Sequence, residues 1–88
     1  MLLEECQELL KQNPFANLLD MELLEVSEGF VKAKIPFQDK IQNIYGDFHG
    51  GALYSAADTL CGIAASSYGY YVTTINGSIQ YLKAGRNT

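Results

Sequence analysis

One carboxylate, Asp58, stands alone in the longest stretch of the chain that is almost free of charge. Between Phe48 and Leu82 it is the single formally charged side chain among 35 residues. Burying a carboxylate among apolar residues costs folding free energy unless the group is paired or functional, so Asp58 is a candidate general base or nucleophile. The alternative is an exposed or helix-capping aspartate, which a position in the middle of a helix disfavours.

The sequence His49-Gly50-Gly51 is the second candidate for chemistry. It stands where a loop becomes a helix, and there the first backbone N–H groups point outward with the positive end of the helix dipole. Such N–H groups can hold a carbonyl oxygen that gains negative charge. Taken alone, the tripeptide also fits an ordinary glycine-rich loop, so a structural role stays open.

The segment that carries these residues is predicted to be a buried helix followed by a strand. From Gly50 to Ser67, apolar and small residues occupy nearly the whole helical circumference, which predicts a helix buried on most sides. A connection at Ser67–Gly69 leads to Tyr70–Leu82, where two alternating sets of side chains predict a long strand.

The spacing of Gly50 and Asp58 places a condition on any chemistry that uses both. They are eight residues apart on one predicted helix, so a rise of about 1.5 Å per residue separates their backbones by roughly 12 Å. Two such helices that run antiparallel about a two-fold axis would bring Asp58 of one subunit close to Gly50 of the other. Catalysis by this pair therefore requires at least a dimer.

The preceding residues are predicted to form a helix and a hairpin. Residues Leu2–Lys11 carry one apolar stripe at helical spacing, and a short helical turn is expected at Phe15–Leu19. The acidic polar face of the first helix disfavours a membrane-binding role and favours the covering of a sheet. From Met21 to Phe37 the pattern predicts a hairpin that ends at or near Pro36, followed by a loop at Gln38–Asp47.

Length and composition exclude several classes of protein. The chain has 88 residues, room for one small domain, and its charge of −4 with six Lys plus Arg excludes a binder of nucleic-acid backbones. Cys6 and Cys61 fit neither a zinc site nor a disulfide framework. An acidic N-terminus and the absence of any apolar run near 20 residues predict a cytoplasmic protein without a membrane segment.

The segment Asn43–Leu53, followed by Asp58, resembles the PaaI-like acyl-CoA thioesterases, named after phenylacetate degradation, which have the hot-dog fold. The resemblance extends from about Pro14 to the end of the chain. Its specific part is the combination of an asparagine, a His-Gly-Gly six residues later, and an aspartate nine residues after the histidine. It implies an α+β fold in which an antiparallel sheet wraps around a long central helix, with an N-terminal helix before it.

The resemblance also implies roles for individual residues. Asp58 would act as general base or nucleophile, and the Gly50 N–H would polarise the thioester carbonyl. His49 and Asn43 match residues that line the reacting centre in the family. A hydroxyl on the strand after the helix often assists, and Thr74 is the nearest match, with Thr73 as the alternative on the other strand face.

The substrate implied by the resemblance is an acyl-CoA thioester, bound by a homodimer or homotetramer. A thioester is already activated, so one carboxylate and one oxyanion donor suffice, without a metal or an organic cofactor. Gly51, Phe48 and Tyr54 are candidates for substrate binding, although Phe48 and Tyr54 also fit plain core positions. Two alternatives stay open: a non-catalytic acyl-CoA-binding or assembly module, and a hydroxyacyl-thioester dehydratase.

The chain departs from the family pattern in its strands. About three strands can be counted, whereas a hot-dog domain has five or six, and relatives continue beyond the final residues seen here. We therefore expect residues 1–88 to be a single hot-dog domain that lacks its C-terminal strands, with an unpaired edge on the last strand and one side of the central helix less well covered.

Overall fold

The structure is a computed structural model that describes residues 2–86. Three helices and one hairpin form its regular elements, with a single 3₁₀ turn at Asp39–Ile41: α1 (Leu2–Lys11), α2 (Pro14–Leu18), β1 (Glu22–Ser27), β2 (Phe30–Lys34) and α3 (Gly50–Ser66). No helix within residues 2–86 is long and apolar enough to cross a membrane.

The N-terminal helices confirm the predicted pattern. Helix α1 has the predicted bounds and buries Cys6 and Leu10 from its apolar stripe. Helix α2 begins at Pro14 because Asn13 caps it: the Asn13 side chain accepts the N–H groups of Phe15 and Ala16, both at 3.1 Å. Burial raises the pKa of the Cys6 thiol, and the Glu5 carboxylate adds to this effect.

The predicted hairpin is also confirmed. Strands β1 and β2 pair antiparallel, and the register changes at a bulge between Leu23 and Glu25. The bulge lets Leu23 and Val26, three residues apart, both face the core. Strand β2 ends at Lys34, two residues before Pro36, as expected for a residue that cannot donate to a ladder.

The core consists of two apolar clusters beneath α3. Leu60 and Ile63 of α3 pack on the first cluster, which α1, α2 and β1 supply. The second cluster lies under the first turns of α3. Its buried members are Leu19, Ile41, Phe48 and Ala52. The two clusters cover one side of the helix.

The prediction that α3 is buried on most sides is wrong for this chain. Ala52 and Ala56 are its buried residues, while Ala57, Asp58 and Cys61 are exposed. The physical reason is the size of the sheet: the described residues form one two-stranded sheet, which is too narrow to wrap around a helix. Helix α3 therefore has more apolar surface than the rest of residues 2–86 covers.

The prediction of a long strand at Tyr70–Leu82 is also wrong. Within residues 2–86 this part of the chain has no regular secondary structure and belongs to no sheet, because no other strand lies beside it. We call residues 70–86 the tail segment. It is held along α3 by side-chain contacts, and a bend at Ile75 breaks the predicted alternation, so that Thr74 and Tyr81 both reach α3.

Candidate active site

The start of α3 has the geometry of an oxyanion site. His49 is the N-cap residue, and its Nδ1 accepts the Gly51 N–H at 2.8 Å. The His49 carbonyl accepts the N–H groups of Ala52 at 3.0 Å and Leu53 at 3.2 Å. Of the first four N–H groups of α3, the Gly50 N–H is therefore the one without a partner among residues 2–86. It is free to bind a carbonyl oxygen.

His49 acts on this site through the backbone. Because Nδ1 accepts a hydrogen bond, the proton of the neutral imidazole lies on Nε2. The His49 side chain is exposed, and it binds the Gly51 N–H, which is next to the free Gly50 N–H. The cap thus decides which N–H group of the first turn stays available.

Asn43 organises the loop before α3. Its Oδ1 accepts the N–H groups of Tyr45 at 2.9 Å and Asp47 at 3.0 Å, while its own N–H donates to the Asp47 carbonyl at 2.8 Å. The turn requires a left-handed backbone at Gly46, whose φ is 78°. Asn43 is therefore a loop-forming residue as well as part of a cleft wall.

The free Gly50 N–H belongs to a residue that lines a cleft of about 360 Å³, which we call the Gly50 cleft. Asn43, Phe48 and Leu53 form one wall, and residues 81–85 of the tail segment form the other. Phe48 is also a core residue: it is 8% exposed, and its ring centroid lies 5.8 Å from that of Phe37. Both roles expected for Phe48 are compatible with this position.

Asp58 lies two turns further along α3, on the same helix face as Gly50. The carboxylate is exposed, which corrects the expectation of a buried group, and the cause is the incomplete cover of α3. Its Oδ1 accepts a hydrogen bond of 2.5 Å from the Thr74 hydroxyl. Of the two candidate threonines, Thr74 is therefore the one that contacts Asp58, while Thr73 lines one of the clefts beside this contact.

Two clefts flank the contact between Asp58 and Thr74, with volumes of about 330 and 160 Å³. Tyr54 and Cys61 line the smaller one. The Tyr54 hydroxyl donates to the Gly77 carbonyl at 2.5 Å, so this side chain ties the tail segment to α3 and also forms a cleft wall.

The predicted site residues are thus distributed over separate clefts of the single chain. Gly50, Asn43 and Phe48 surround one cleft, and Asp58 and Thr74 lie at others. His49 and Gly51 line a further, mostly apolar cleft of about 390 Å³. Within one chain the structure does not bring Gly50 and Asp58 to a common cleft.

One residue at the Gly50 cleft was not expected from the sequence. The Tyr81 hydroxyl donates to the Gly50 carbonyl at 2.8 Å. Strict strand alternation would place Tyr81 on the face opposite Thr74. The chain bends at Ile75 and both residues contact α3, so the local sequence pattern did not predict the contact of Tyr81. Three side-chain hydrogen bonds thus tie the tail segment to α3. Their α3 residues, Gly50, Tyr54 and Asp58, are spaced four residues apart along one face of the helix.

Known proteins resemble this chain in sequence. A family model described as the thioesterase superfamily matches residues 45–87. A protein of Archaeoglobus fulgidus named "Putative esterase" is 34% identical over 74 residues, which are 84% of this chain and 48% of that protein. A protein of Saccharolobus solfataricus with the same description is 37% identical over 54 residues, 61% of this chain and 36% of that protein. The chain spans about half the length of the first relative.

A solved structure shares the fold. The Escherichia coli PaaI protein, from the phenylacetic acid degradation operon, matches with a TM-score of 0.85 and 24% identity, covering 98% of this chain and 63% of that one. At this identity the likeness concerns the fold, in which the chain supplies the N-terminal helix, an antiparallel hairpin and the central helix. The family match and the relatives show that the chain is similar in sequence to thioesterase-superfamily proteins, and the shared architecture shows that it has their hot-dog fold.

Proposed function

We propose that this protein hydrolyses acyl-CoA thioesters to a free acid and coenzyme A, with Asp58 and Gly50 from two subunits at each active site. The observation that carries the proposal is the unpartnered Gly50 N–H at the start of α3, the helix that also bears Asp58. The match of residues 45–87 to the thioesterase superfamily supports a thioester as the substrate. The motif from Asn43 to Asp58 supports coenzyme A as the thiol.

The chemistry balances with these two groups alone. Asp58 takes a proton from a water molecule whose oxygen forms a bond to the thioester carbonyl carbon. The carbonyl oxygen becomes an oxyanion, which the Gly50 N–H and the helix dipole stabilise. When the carbonyl re-forms, the C–S bond breaks, and the coenzyme A thiolate takes from Asp58 the proton that came from water. The Thr74 hydroxyl, which donates to Asp58, orients the carboxylate.

The spacing along α3 supports a site shared by two chains. Gly50 and Asp58 line different clefts of one chain and are about two helical turns apart, roughly 12 Å. Ala57, Asp58 and Cys61 of α3 are exposed, and Ala57 and Cys61 are small enough for a second helix to approach closely. An antiparallel pair of α3 helices would create two equivalent sites in a homodimer or in a dimer of dimers.

The first test is the release of free coenzyme A from aryl and fatty acyl-CoA esters by the full chain. Asp58→Asn keeps the size of the side chain and an acceptor for Thr74, so we expect a normal fold and a loss of kcat of at least about hundredfold. Asp39→Asn is the matched control, because Asp39 is an exposed carboxylate in the 3₁₀ turn, outside the clefts along α3. Hydrolysis by Asp58→Asn within a few fold of the wild type would refute the assignment.

A second test isolates the Gly50 N–H. Gly50 is the first residue of α3, where proline fits a helix, and His49 has the extended backbone (ψ 130°) that a residue before proline prefers. Gly50→Pro removes the N–H and is expected to lower kcat by about 10²- to 10³-fold. Gly50→Ala keeps the N–H and adds a Cβ near Tyr81, so it controls for added bulk.

Mixing inactive variants then tests the shared site. In a mixed dimer of Asp58→Asn and Gly50→Pro, one of the two sites contains an intact Asp58 and an intact Gly50. Random exchange of subunits should restore about a quarter of wild-type activity, because half of the dimers are mixed and each has one intact site. A mixture that stays inactive after verified subunit exchange would rule out the shared site.

The second candidate function is a non-catalytic acyl-CoA-binding or assembly module. The separation of Gly50 and Asp58 into different clefts of one chain favours it if the chains do not pair. Binding of a non-hydrolysable acyl-CoA analogue with equal affinity by the wild type and Asp58→Asn, without thiol release from any ester, would support this alternative.

A further inference from the structure

Tyr81 lies across the turn of α3 that offers the free N–H. Its hydroxyl donates to the Gly50 carbonyl at 2.8 Å. The nearest ring carbons lie 3.3 and 3.4 Å from the point that a Cβ on Gly50 would occupy. The Tyr81 ring therefore lies beside the residue that carries the proposed oxyanion donor.

The peptide group that follows the Gly50 N–H is held from two directions. The Gly50–Gly51 peptide donates its N–H to His49 Nδ1 at 2.8 Å, and its carbonyl accepts the Tyr81 hydroxyl. These contacts come from the loop before α3 and from the tail segment after it. The orientation of the first turn thus depends on Tyr81 as well as on the cap.

Tyr81 also anchors one end of the opposite wall of the Gly50 cleft. Residues 82–84 line the cleft, and the Tyr81 hydroxyl attaches the chain just before them. Just after them, the Gly85 carbonyl accepts the Phe48 N–H at 2.7 Å, and Arg86 pairs with Asp47 at 3.0 Å. Because the tail segment belongs to no sheet within residues 2–86, these contacts set the width of the cleft.

We propose that Tyr81 is a positioning residue for the oxyanion donor: it fixes the first turn of α3 and the cleft wall so that the Gly50 N–H meets the thioester carbonyl. The inference rests on the proposed function. Tyr81 acts through the Gly50 peptide and does not itself contact the reacting atoms.

The kinetic test compares two tyrosines that lose the same hydroxyl. Tyr81→Phe keeps the ring and removes the hydrogen bond, so kcat for the best acyl-CoA ester should fall about tenfold, the effect of one hydrogen bond, while KM changes less than about threefold. Tyr71→Phe is the matched control, since Tyr71 is 96% exposed. A rise in KM alone, or a kcat within about twofold of the wild type, would overturn the role.

A spectroscopic test works without turnover. S-phenacyl-coenzyme A has a ketone carbonyl and cannot be hydrolysed, so its binding should move the Gly50 amide proton resonance of the wild type downfield. In Tyr81→Phe at saturation we expect this shift to be at least halved, and in Tyr71→Phe unchanged. Equal shifts in both variants, or a Gly50 amide that the ligand leaves unmoved in the wild type, would overturn the proposal.

The outcomes separate the two proposals. Hydrolysis that survives Asp58→Asn contradicts the proposed function, whatever Tyr81 does. Loss of hydrolysis in Asp58→Asn, combined with unchanged kinetics and an unchanged Gly50 shift in Tyr81→Phe, contradicts the role of Tyr81 alone.

Discussion

The hairpin and the tail segment contact the same central helix in different ways. Strands β1 and β2 pair through their backbones and place Leu23, which is 3% exposed, in the core. The tail segment has a strand-like sequence as well, but within residues 2–86 it has no strand partner, and residues such as Ile75 are 95% exposed. Side chains of Thr74 and Tyr81 tie it to α3. A strand-like pattern thus becomes a strand where a partner is available.

The comparison predicts a large difference in amide protection. Amides of residues 22–34 take part in a backbone ladder, whereas those of residues 70–82 have no backbone partner among the described residues. Hydrogen exchange of the full chain at low concentration should therefore be slower by about a hundredfold or more at the paired positions of the hairpin. Equal protection in the tail segment would show that its backbone pairs with another strand, which would contradict the difference drawn between it and the hairpin.

Core truncation should separate the two regions in stability. Leu23→Ala removes a buried side chain that packs on Cys6 and Leu10, so we expect a loss of about 2–5 kcal/mol of unfolding free energy. Ile75→Ala in the tail segment should change it by less than about 0.5 kcal/mol. Urea unfolding followed by circular dichroism measures both. Similar losses would mean that Ile75 is buried in solution.

Ser67 links the hairpin to the end of α3 and should have an intermediate effect. Its hydroxyl accepts the Gly29 N–H at 2.8 Å and donates to the Ala64 carbonyl at 2.5 Å, and the residue is 8% exposed. Ser67→Ala leaves the Gly29 N–H without this partner and should cost about 1–3 kcal/mol. Ser78→Ala, on the exposed tail segment, is the control in the same unfolding experiment. A smaller loss for Ser67 than for Ser78 would exclude the link.

The smallest expected effect concerns Asp20, at the turn before β1. Hydrogen bonds from Gln38 and Lys40, with the charge of Lys40, hold the pKa of the Asp20 carboxyl below its usual range. Since the pKa is lower in the folded state, this carboxylate stabilises the fold above the unfolded-state pKa of about 3.9, and the effect disappears as the pH falls through the folded-state pKa.

Asp20→Asn tests this sign, and asparagine tolerates the positive φ of 55° at this position. The wild type should have a slightly higher midpoint of thermal unfolding at pH 7, and the difference should vanish as the pH falls through the lowered folded-state pKa of Asp20. Lys40→Gln should reduce the same difference. A difference that stays constant down to acidic pH would contradict the assignment to this carboxylate.

Local patterns predicted the elements that depend on nearby residues. The apolar stripe of Leu2–Lys11 and the glycines at the start of α3 defined those helices because caps and periodicity act over a few residues. The choice of Thr74 over Thr73 came from the resemblance, and Thr74 is the one that contacts Asp58, while its assisting role stays a prediction. Three features depend on distant segments, which a local pattern does not reveal. They are the exposure of Asp58, the absence of a strand at Tyr70–Leu82 within residues 2–86, and the contact of Tyr81 with Gly50.

The placement of Gly50 and Asp58 on one helix has a consequence for the concentration dependence of the proposed activity. A helix is a stiff rod, so the spacing between donor and base is constant, and the alignment of two α3 helices determines both sites at once. A lone subunit then has no complete site. Below the dissociation constant of the proposed dimer, the total rate of the proposed hydrolysis should rise with the square of the chain concentration, and dilution alone would abolish it.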